Sequence, residues 1–505
     1  MVSPIEVPVS RPKRQIASKL ADVVRPAIAA NDAPPLQPQS RLLPWLIAVA
    51  FFMESLDTTI LNTGVPAIAR ALHVLPLAMK SVLSSYTLSL AVFIPVSGWM
   101  ADRFGTRRVF AAAIAVFTLG SVLCGITNDI SFLVASRLLQ GMGGAMMVPV
   151  GRLTLVRTFP KADLVRAMSF VAVPSLVAPM LGPLVGGLIV AWFNWRVIFF
   201  VNIPIGLLGL GLVLWKFPDF RQSHKTPLDI IGLILFGAGI ALLSYVLEVF
   251  GEHLLQPVEV LCLFAVALLL LTGYALNSRR VKHPLLRTDL FRLRTFAVAA
   301  AGQFITRLGI GGTPFLLPLL YQVGLGMTPI ESGLLIMPQA AGAIATKAFL
   351  PRLLNRFGHR AILVSNTVAV GLWIMAFSTI GPGTPLWLIV IQAFCFGAQT
   401  SIQYASMNTL VYADVPANKT SGASSIASTL QQLSISFGVA AAGLLTAFFL
   451  PTAGAADRGP MLTGLHDSFL FLGSYTLLTT AIFLRLSPAD GRAQDGRTQK
   501  AKGAL

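Results

Sequence analysis

Charge is scarce in this 505-residue chain. Asp, Glu, Lys and Arg make up 11% of it and hydrophobic residues 55%, where a soluble globular protein carries about 25% charged residues. Such a chain cannot cover a water-facing surface, which excludes a soluble globular protein. Cysteine is equally sparse: Cys124, Cys262 and Cys395 each lie inside an apolar run, giving neither a disulfide framework nor metal-ligand spacing. The six histidines fall in loops or at the ends of apolar runs, so a histidine proton relay inside a membrane is not expected. GxxxxGK[ST], HExxH, GxSxG and CxxC are all missing, which removes the usual phosphate cradle, zinc protease helix, nucleophile elbow and redox pair. No enzyme activity and no cofactor are expected, the energy source being a proton gradient. Residues 1–40 hold no apolar core ahead of a cleavage site and read as a disordered cytoplasmic tail, not a signal peptide.

What the chain has in abundance is apolar runs of membrane-spanning length, about 20 residues each. They fall near 42–64, 79–100, 109–127, 131–155, 166–190, 197–216, 229–250, 256–277, 296–321, 332–350, 361–380, 386–411, 421–449 and 468–486. Fourteen spans place both termini on one side. The lysines and arginines say which: 31 of the 38 lie in the tails and in alternate loops, while the opposite loops hold Arg70, Lys80, Arg196 and Arg458. Basic residues collect on the cytoplasmic face, so both ends are predicted inside. The formal charge of +18 is explained by topology, and no nucleic-acid partner is needed. Expected partners are the lipid bilayer, protons and a small-molecule cargo, with the chain monomeric in a bacterial inner membrane.

A short internal echo suggests duplication. Asp102-Arg103-Phe104-Gly105-Thr106-Arg107-Arg108 follows span 2, and Asn355-Arg356-Phe357-Gly358-His359-Arg360 lies between spans 10 and 11. If spans 7 and 8 are an inserted pair, each copy follows the second helix of a six-helix half, a repeat design that secondary transporters use. The predicted fold is therefore an all-α polytopic membrane protein of two six-helix pseudo-symmetric bundles plus two inserted central helices. Its parts are a tail 1–41, an N-terminal half 42–217, an insertion with a basic linker 218–295, a C-terminal half 296–486 and a tail 487–505.

Few charges lie within the spans, and an ionisable group at that depth costs several kcal/mol. Asp57 sits in the middle of span 1, with Glu54 three residues earlier on nearly the same face. A buried carboxylate is the natural proton carrier here; the alternative is a polar residue satisfied by neighbouring Thr or Asn. Arg137, about two turns into span 4, keeps its charge when buried and can tune a nearby carboxylate or form a structural ion pair. Arg307 lies mid-span ahead of Gly311, Gly312, Pro314 and Pro318, a pattern of a broken helix lining a cavity. It suits either an anionic group on the cargo or an internal partner such as Glu54 or Asp57. Asn62, Gln140, Gln303, Gln399 and Gln403 are further candidates for cavity walls, or for polar glue between helices.

Four stretches carry a family resemblance. Leu56 through Pro66 resembles the first-helix signature of the fourteen-helix drug:proton antiporter branch of the major facilitator superfamily, with Thr63-Gly64 where that signature usually has Val-Ala. Gly98 through Arg108 resembles the superfamily's loop motif between helices 2 and 3; the second copy departs from it at Pro351 and Asn355. Arg137 through Ala145 resembles the helix-4 motif, and Ala178 through Gly187 the helix-5 motif of antiporters. The resemblance implies a proton-coupled exporter of amphiphilic organic molecules working by alternating access. It implies coupling at Asp57, Glu54 and Arg137, and a conformational latch at Gly98, Asp102, Arg103, Gly105, Arg107 and Arg108. Pro179, Gly182, Pro183, Gly186 and Gly187 would form a close-packed pivot. The rivals are a proton-coupled exporter of a small anionic metabolite or metal chelate, and a non-transporting membrane sensor or scaffold.

Overall fold

A computed structural model describes residues 38–221, 227–249, 256–347, 349–416, 419–449, 458–487 and 490. The chain forms two units, 1–43 and 44–505. The first is described only from Pro38, where it enters a helix, and the expected tails 1–41 and 487–505 lie almost wholly outside the described residues. Everything below concerns the second unit.

Among the described residues the long elements are helices, named here in chain order. The N-terminal six are α1 (Pro38–Ala71), α2 (Lys80–Phe104), α3 (Thr106–Ile126), α4 (Ile130–Thr158), α5 (Lys161–Trp192) and α6 (Asn202–Lys216). Next come α7 (Ile230–Val249) and α8 (Pro257–Arg280). The last six are α9 (Arg294–Gly311), α10 (Pro329–Lys347), α11 (Leu350–Ala376), α12 (Leu386–Tyr412), α13 (Thr420–Phe449) and α14 (Arg458–Leu478). Twelve helical stretches of the described residues are long and apolar enough to cross a membrane. The other two long helices, α5 and α10, stand where the sequence places spans five and ten. Over Val177–Trp192, α5 is apolar, while α10 carries Glu331 and Lys347 at its two ends.

Helix starts are set by local chemistry. Asp129 caps α4 by accepting from the Phe132 amide at 2.9 Å. At α10 the carboxylate of Glu331 accepts from the Thr328 amide at 2.8 Å, and the Thr328 hydroxyl accepts from the Glu331 amide at 3.3 Å, a reciprocal capping box. That arrangement gives Glu331 a structural task at the helix end.

The two loop copies share a backbone conformation as well as a sequence. Gly105 has φ 94° and Gly358 φ 76°, a region that side-chain-bearing residues rarely adopt. In the second copy helix continues on both sides of that glycine, so the expected loop between spans 10 and 11 is a kink inside α11. The expected break near Gly311 is also present: α9 ends there, Thr313–Leu319 forms a further helical segment and Leu320–Gly324 a π turn. Gly311 and Gly312 are buried against Ile435, Gly438 and Ala442 of α13, so these glycines serve close helix packing.

One large apolar core joins residues of both halves, including Ile60, Val65 and Ile68 with Phe315, Tyr321 and Phe377. A second holds α7 and α8 against the C-terminal half through Phe236, Ile240, Tyr274, Phe296 and Leu433. Polar contacts also join the two ends of the insertion, the insertion to its linker and the linker to the C-terminal half. Asn277 donates to Asp229 at 3.0 Å, the Leu286 amide donates to the Tyr274 hydroxyl at 2.9 Å, and Lys419 holds Asp289 at 2.6 Å.

Candidate functional site

The buried charges of the first half meet in one cluster. Asp57 on α1 and Arg137 on α4 form an ion pair at 2.5 Å, each side chain 1% exposed. The other carboxylate oxygen accepts from Gln140 Nε2 at 2.8 Å and Asn202 Nδ2 at 3.0 Å. Gln140 also accepts from Arg137 Nη1 at 2.6 Å through its Oε1 and donates to Ser121 Oγ at 2.7 Å. The Arg137 guanidinium lies over the Tyr86 ring, 4.2 Å from its centroid. Five helices, α1, α2, α3, α4 and α6, thus meet in one cluster, with α4 and α6 supplying the donors to the carboxylate. Buried charge is tolerated only when paired and hydrogen-bonded, and Asp57 has three donors. Arg137 retains an Nε without a partner.

The sequence pointed to Asp57, Arg137 and Gln140 but missed Asn202, Ser121 and Tyr86. Asn202 is a lone amide in a strongly apolar stretch, which is the signal that would have flagged it. Glu54 stands apart. It is half-buried, accepts from its neighbour Ser55 at 3.5 Å and is not a member of the Asp57 cluster.

The loop motif is anchored on α4 and on the segment that follows α6. Asp102 pairs with Arg157 at the end of α4 at 2.7 Å. Arg107 donates through Nε to the Phe217 carbonyl at 2.5 Å and through its amide to Asp219 at 3.3 Å. Thr106 donates to the Pro218 carbonyl at 2.9 Å and accepts from the Phe220 amide at 3.0 Å. Gly105 is closed in by Asp219 and Arg221. Arg103 and Arg108 are exposed, and Gly98 is open to space on the side where a Cβ would project.

The helix-5 motif packs in two directions. A Cβ at Gly186 would come within 2.4 Å of the Ile60 carbonyl oxygen on α1, and one at Gly182 would collide with Thr59. A Cβ at Gly187 would lie 2.5 Å from the Pro329 carbonyl of α10, and one at Gly333 of α10 would meet the Pro183 carbonyl at 2.4 Å. The motif therefore joins the two halves backbone to backbone. Pro179 and Pro183 lie inside α5, where each removes a helical hydrogen bond. Further cross-half contacts run from Gln322 Nε2 to the Thr63 carbonyl at 2.9 Å and from Ser436 Oγ to the Ser84 carbonyl at 3.0 Å.

The candidate cavity residues divide. Gln140, Gln303 and Gln403 are fully buried and bond neighbouring helices: Gln303 reaches the Ala427 carbonyl at 3.3 Å, and Gln403 reaches Thr367 and Asn366 at 2.8 Å. Asn62 and Gln399 are half-buried. Arg307 is buried and lies over the Tyr404 ring at 3.8 Å, with Asn408 accepting from Nη2 at 3.4 Å. Of the internal partners considered for Arg307, Asp57 is taken by Arg137, and among the described residues no carboxylate forms an ion pair with Arg307.

A helical membrane protein of two joined bundles, with a hydrogen-bonded carboxylate–arginine pair buried inside one of them, has the architecture of a secondary transporter. The chain belongs to the Major Facilitator Superfamily, whose family model matches residues 47–439. It is similar to proteins named "Putative multidrug resistance protein MdtD". One from Pectobacterium atrosepticum is 37% identical over 444 residues, covering 88% of this chain and 95% of the relative. One from Escherichia coli is 39% identical over 442 residues, covering 88% and 94%. Among solved structures, the POT family transporter PepTSo matches with TM-score 0.67 at 16% identity, covering 89% of this chain and 98% of that one. A D-xylose-proton symporter matches with TM-score 0.64 at 14% identity, covering 89% and 98%. At that identity the solved structures speak for the fold alone. The chain is a multi-pass membrane protein of a transporter family, with the lipid bilayer as its surroundings and a small molecule as its cargo.

Proposed function

We propose that this protein is a proton-coupled exporter of small amphiphilic organic molecules, working by alternating access without enzymatic chemistry. The observation that carries this reading is the Asp57–Arg137 pair, a carboxylate held by three donors among five helices. Protonation of Asp57 cancels its charge and releases Arg137 to lean on Gln140 and Tyr86. Deprotonation restores the pair and draws α1 and α4 together. A charge moving down a potential of 100 mV supplies about 2.3 kcal/mol, enough to bias a two-state bundle. Glu54, one turn nearer the N-terminus on α1, is a second carboxylate on the proton's route. The relatives' printed name supports a drug-like cargo.

In this reading residues 42–217 and 296–486 move as two halves around the contacts of Gly187 with Pro329 and Gly333 with Pro183, and 218–295 rides with the C-terminal half. Asp102, Gly105 and Arg107 latch α2 and α3 to α4 and the segment after α6, with Gly98, Arg103 and Arg108 on the motif's open face. Both termini lie in the cytoplasm of a bacterial cell, on the side where the lysines and arginines collect. The described cross-half hydrogen bonds lie toward the other side, near the loops that follow α1 and precede α10, which supports a state open to the cytoplasm. The transporter is a monomer. The test is flux of a rhodamine ester into inside-out proteoliposomes with and without a proton gradient. The wild type should accumulate the dye only with the gradient, and Asp57→Asn should not. Gradient-independent accumulation refutes the coupling.

A further inference from the structure

The C-terminal half carries a second buried cation, and its surroundings differ from those of Arg137. Arg307 on α9 is 3% exposed. Its guanidinium is stacked on Tyr404 of α12 at 3.8 Å, its Nη2 makes one long hydrogen bond of 3.4 Å to Asn408, and its Nε is buried without a partner. A guanidinium offers five donors in a planar fork. Arg137 has a carboxylate on its Nη1, whereas among the described residues none is paired with Arg307. A stacked aromatic ring offsets part of the desolvation of a cation but leaves the in-plane donors unmet, and a buried charge without a counter-charge is costly.

The position also has an approach. Asn408 is exposed and Tyr404 is half-buried, so the edge of the guanidinium nearest Asn408 adjoins accessible space. A ring fixing the guanidinium plane, with donors left open along its edge, is geometry suited to the two oxygens of a carboxylate or phosphate.

We propose that Arg307, stacked on Tyr404 and flanked by Asn408, is a binding site for an anionic group, a carboxylate or phosphate, on the transported molecule. This rests on the exporter reading and narrows it: the cargo class includes amphiphiles that carry an anionic group beside an apolar or aromatic body. The anion occupies the guanidinium edge and supplies the counter-charge that the chain itself does not.

The experiment uses two dyes of one scaffold, a rhodamine with a free carboxylate and the same rhodamine as its ethyl ester, binding to the purified full-length protein in a gluconate buffer. Arg307→Gln should weaken binding of the carboxylate dye about tenfold or more, the usual scale for losing a hydrogen-bonded charge, and leave the ester within about twofold. Asn408→Asp places a carboxylate against the guanidinium. It should abolish the preference for the free acid, leave ester binding intact and raise the melting temperature of the ligand-free protein. Equal losses for both dyes in Arg307→Gln, or an unchanged free-acid preference in Asn408→Asp, overturn the proposal. If Arg307→Gln does not fold, the Asn408→Asp result alone decides. Gradient-driven flux of the ester in the wild type keeps the two readings apart. Flux of the ester with no Arg307 effect defeats only the anion site. Arg307-dependent binding of the free acid without flux of either dye defeats only the exporter.

Discussion

Breaking the Asp57–Arg137 pair from one side should cost more than removing both charges together. Arg137→Met keeps an apolar stem over Tyr86 but strands a carboxylate among Gln140 and Asn202, with no cation near it. Asp57→Asn strands the guanidinium with only Gln140 Oε1 and the Tyr86 ring. Removing one member of a buried pair costs about 3–5 kcal/mol. In the double variant the new amide accepts from Gln140 Nε2 and Asn202 Nδ2 as the carboxylate did. It also donates to Gln140 Oε1, taking over the bond Arg137 made at 2.6 Å. No charge is left buried, and the double variant should lie within about 2 kcal/mol of wild type, a coupling of roughly 3 kcal/mol or more. The assay is equilibrium unfolding in mixed micelles, followed by tryptophan fluorescence from the seven tryptophans, for all four proteins under one condition. A double variant whose loss equals the sum of the single losses would show that the two charges act separately, and the reasoning would fail. Transport should be lost in all three variants, because the restored stability comes without a titrating group.

Three other outcomes follow from the geometry. Gly186→Leu and Gly187→Leu should abolish transport and lower thermal stability, since even a Cβ at those positions falls 2.4–2.5 Å from a carbonyl oxygen; transport and melting temperature measured side by side check this. Asp102→Arg and Arg157→Asp should each slow transport with a stability change under about 1 kcal/mol, as expected of a partly exposed pair, and the charge-swapped double variant should recover rate. The Lys419 ammonium holds the Asp289 carboxyl in the linker below its ordinary range, chiefly by hydrogen bonding. The small stability it contributes is therefore present above the ordinary carboxylate range and lost as pH falls through the lowered value. Lys419→Gln should bring the Asp289 titration back up by carboxylate NMR while costing under about 1 kcal/mol.

The long apolar helices and the echo of the loop motif were legible because each rests on a strong local pattern. An apolar run of 20 residues is a membrane helix wherever it packs, and Gly105 and Gly358 share both a sequence neighbourhood and a positive φ. Asp57 and Arg137 stood out because charge in such runs is rare. What stayed hidden was partnership between distant elements. Nothing local distinguishes Gln140, which holds Asp57, from Gln403, which fastens α11 to α12. Asn202 joins the site across 145 residues of sequence, and only the packing of α6 beside α3 brings it there. Arg157 and Asp219 complete the loop motif from outside its own stretch for the same reason. Gly311 and Gly312 read as part of a break lining a cavity, and spacing alone cannot separate a break that opens a cavity from one that admits a neighbouring helix.

Asp57 is here the proton carrier coupled to cargo. The most direct test of that role is proton release on binding of a rhodamine ester to the purified protein in weakly buffered micelles, read with a pH-indicator dye. The wild type should release protons, Asp57→Asn should release none, and both should retain ester binding. Undiminished release from Asp57→Asn would contradict that role.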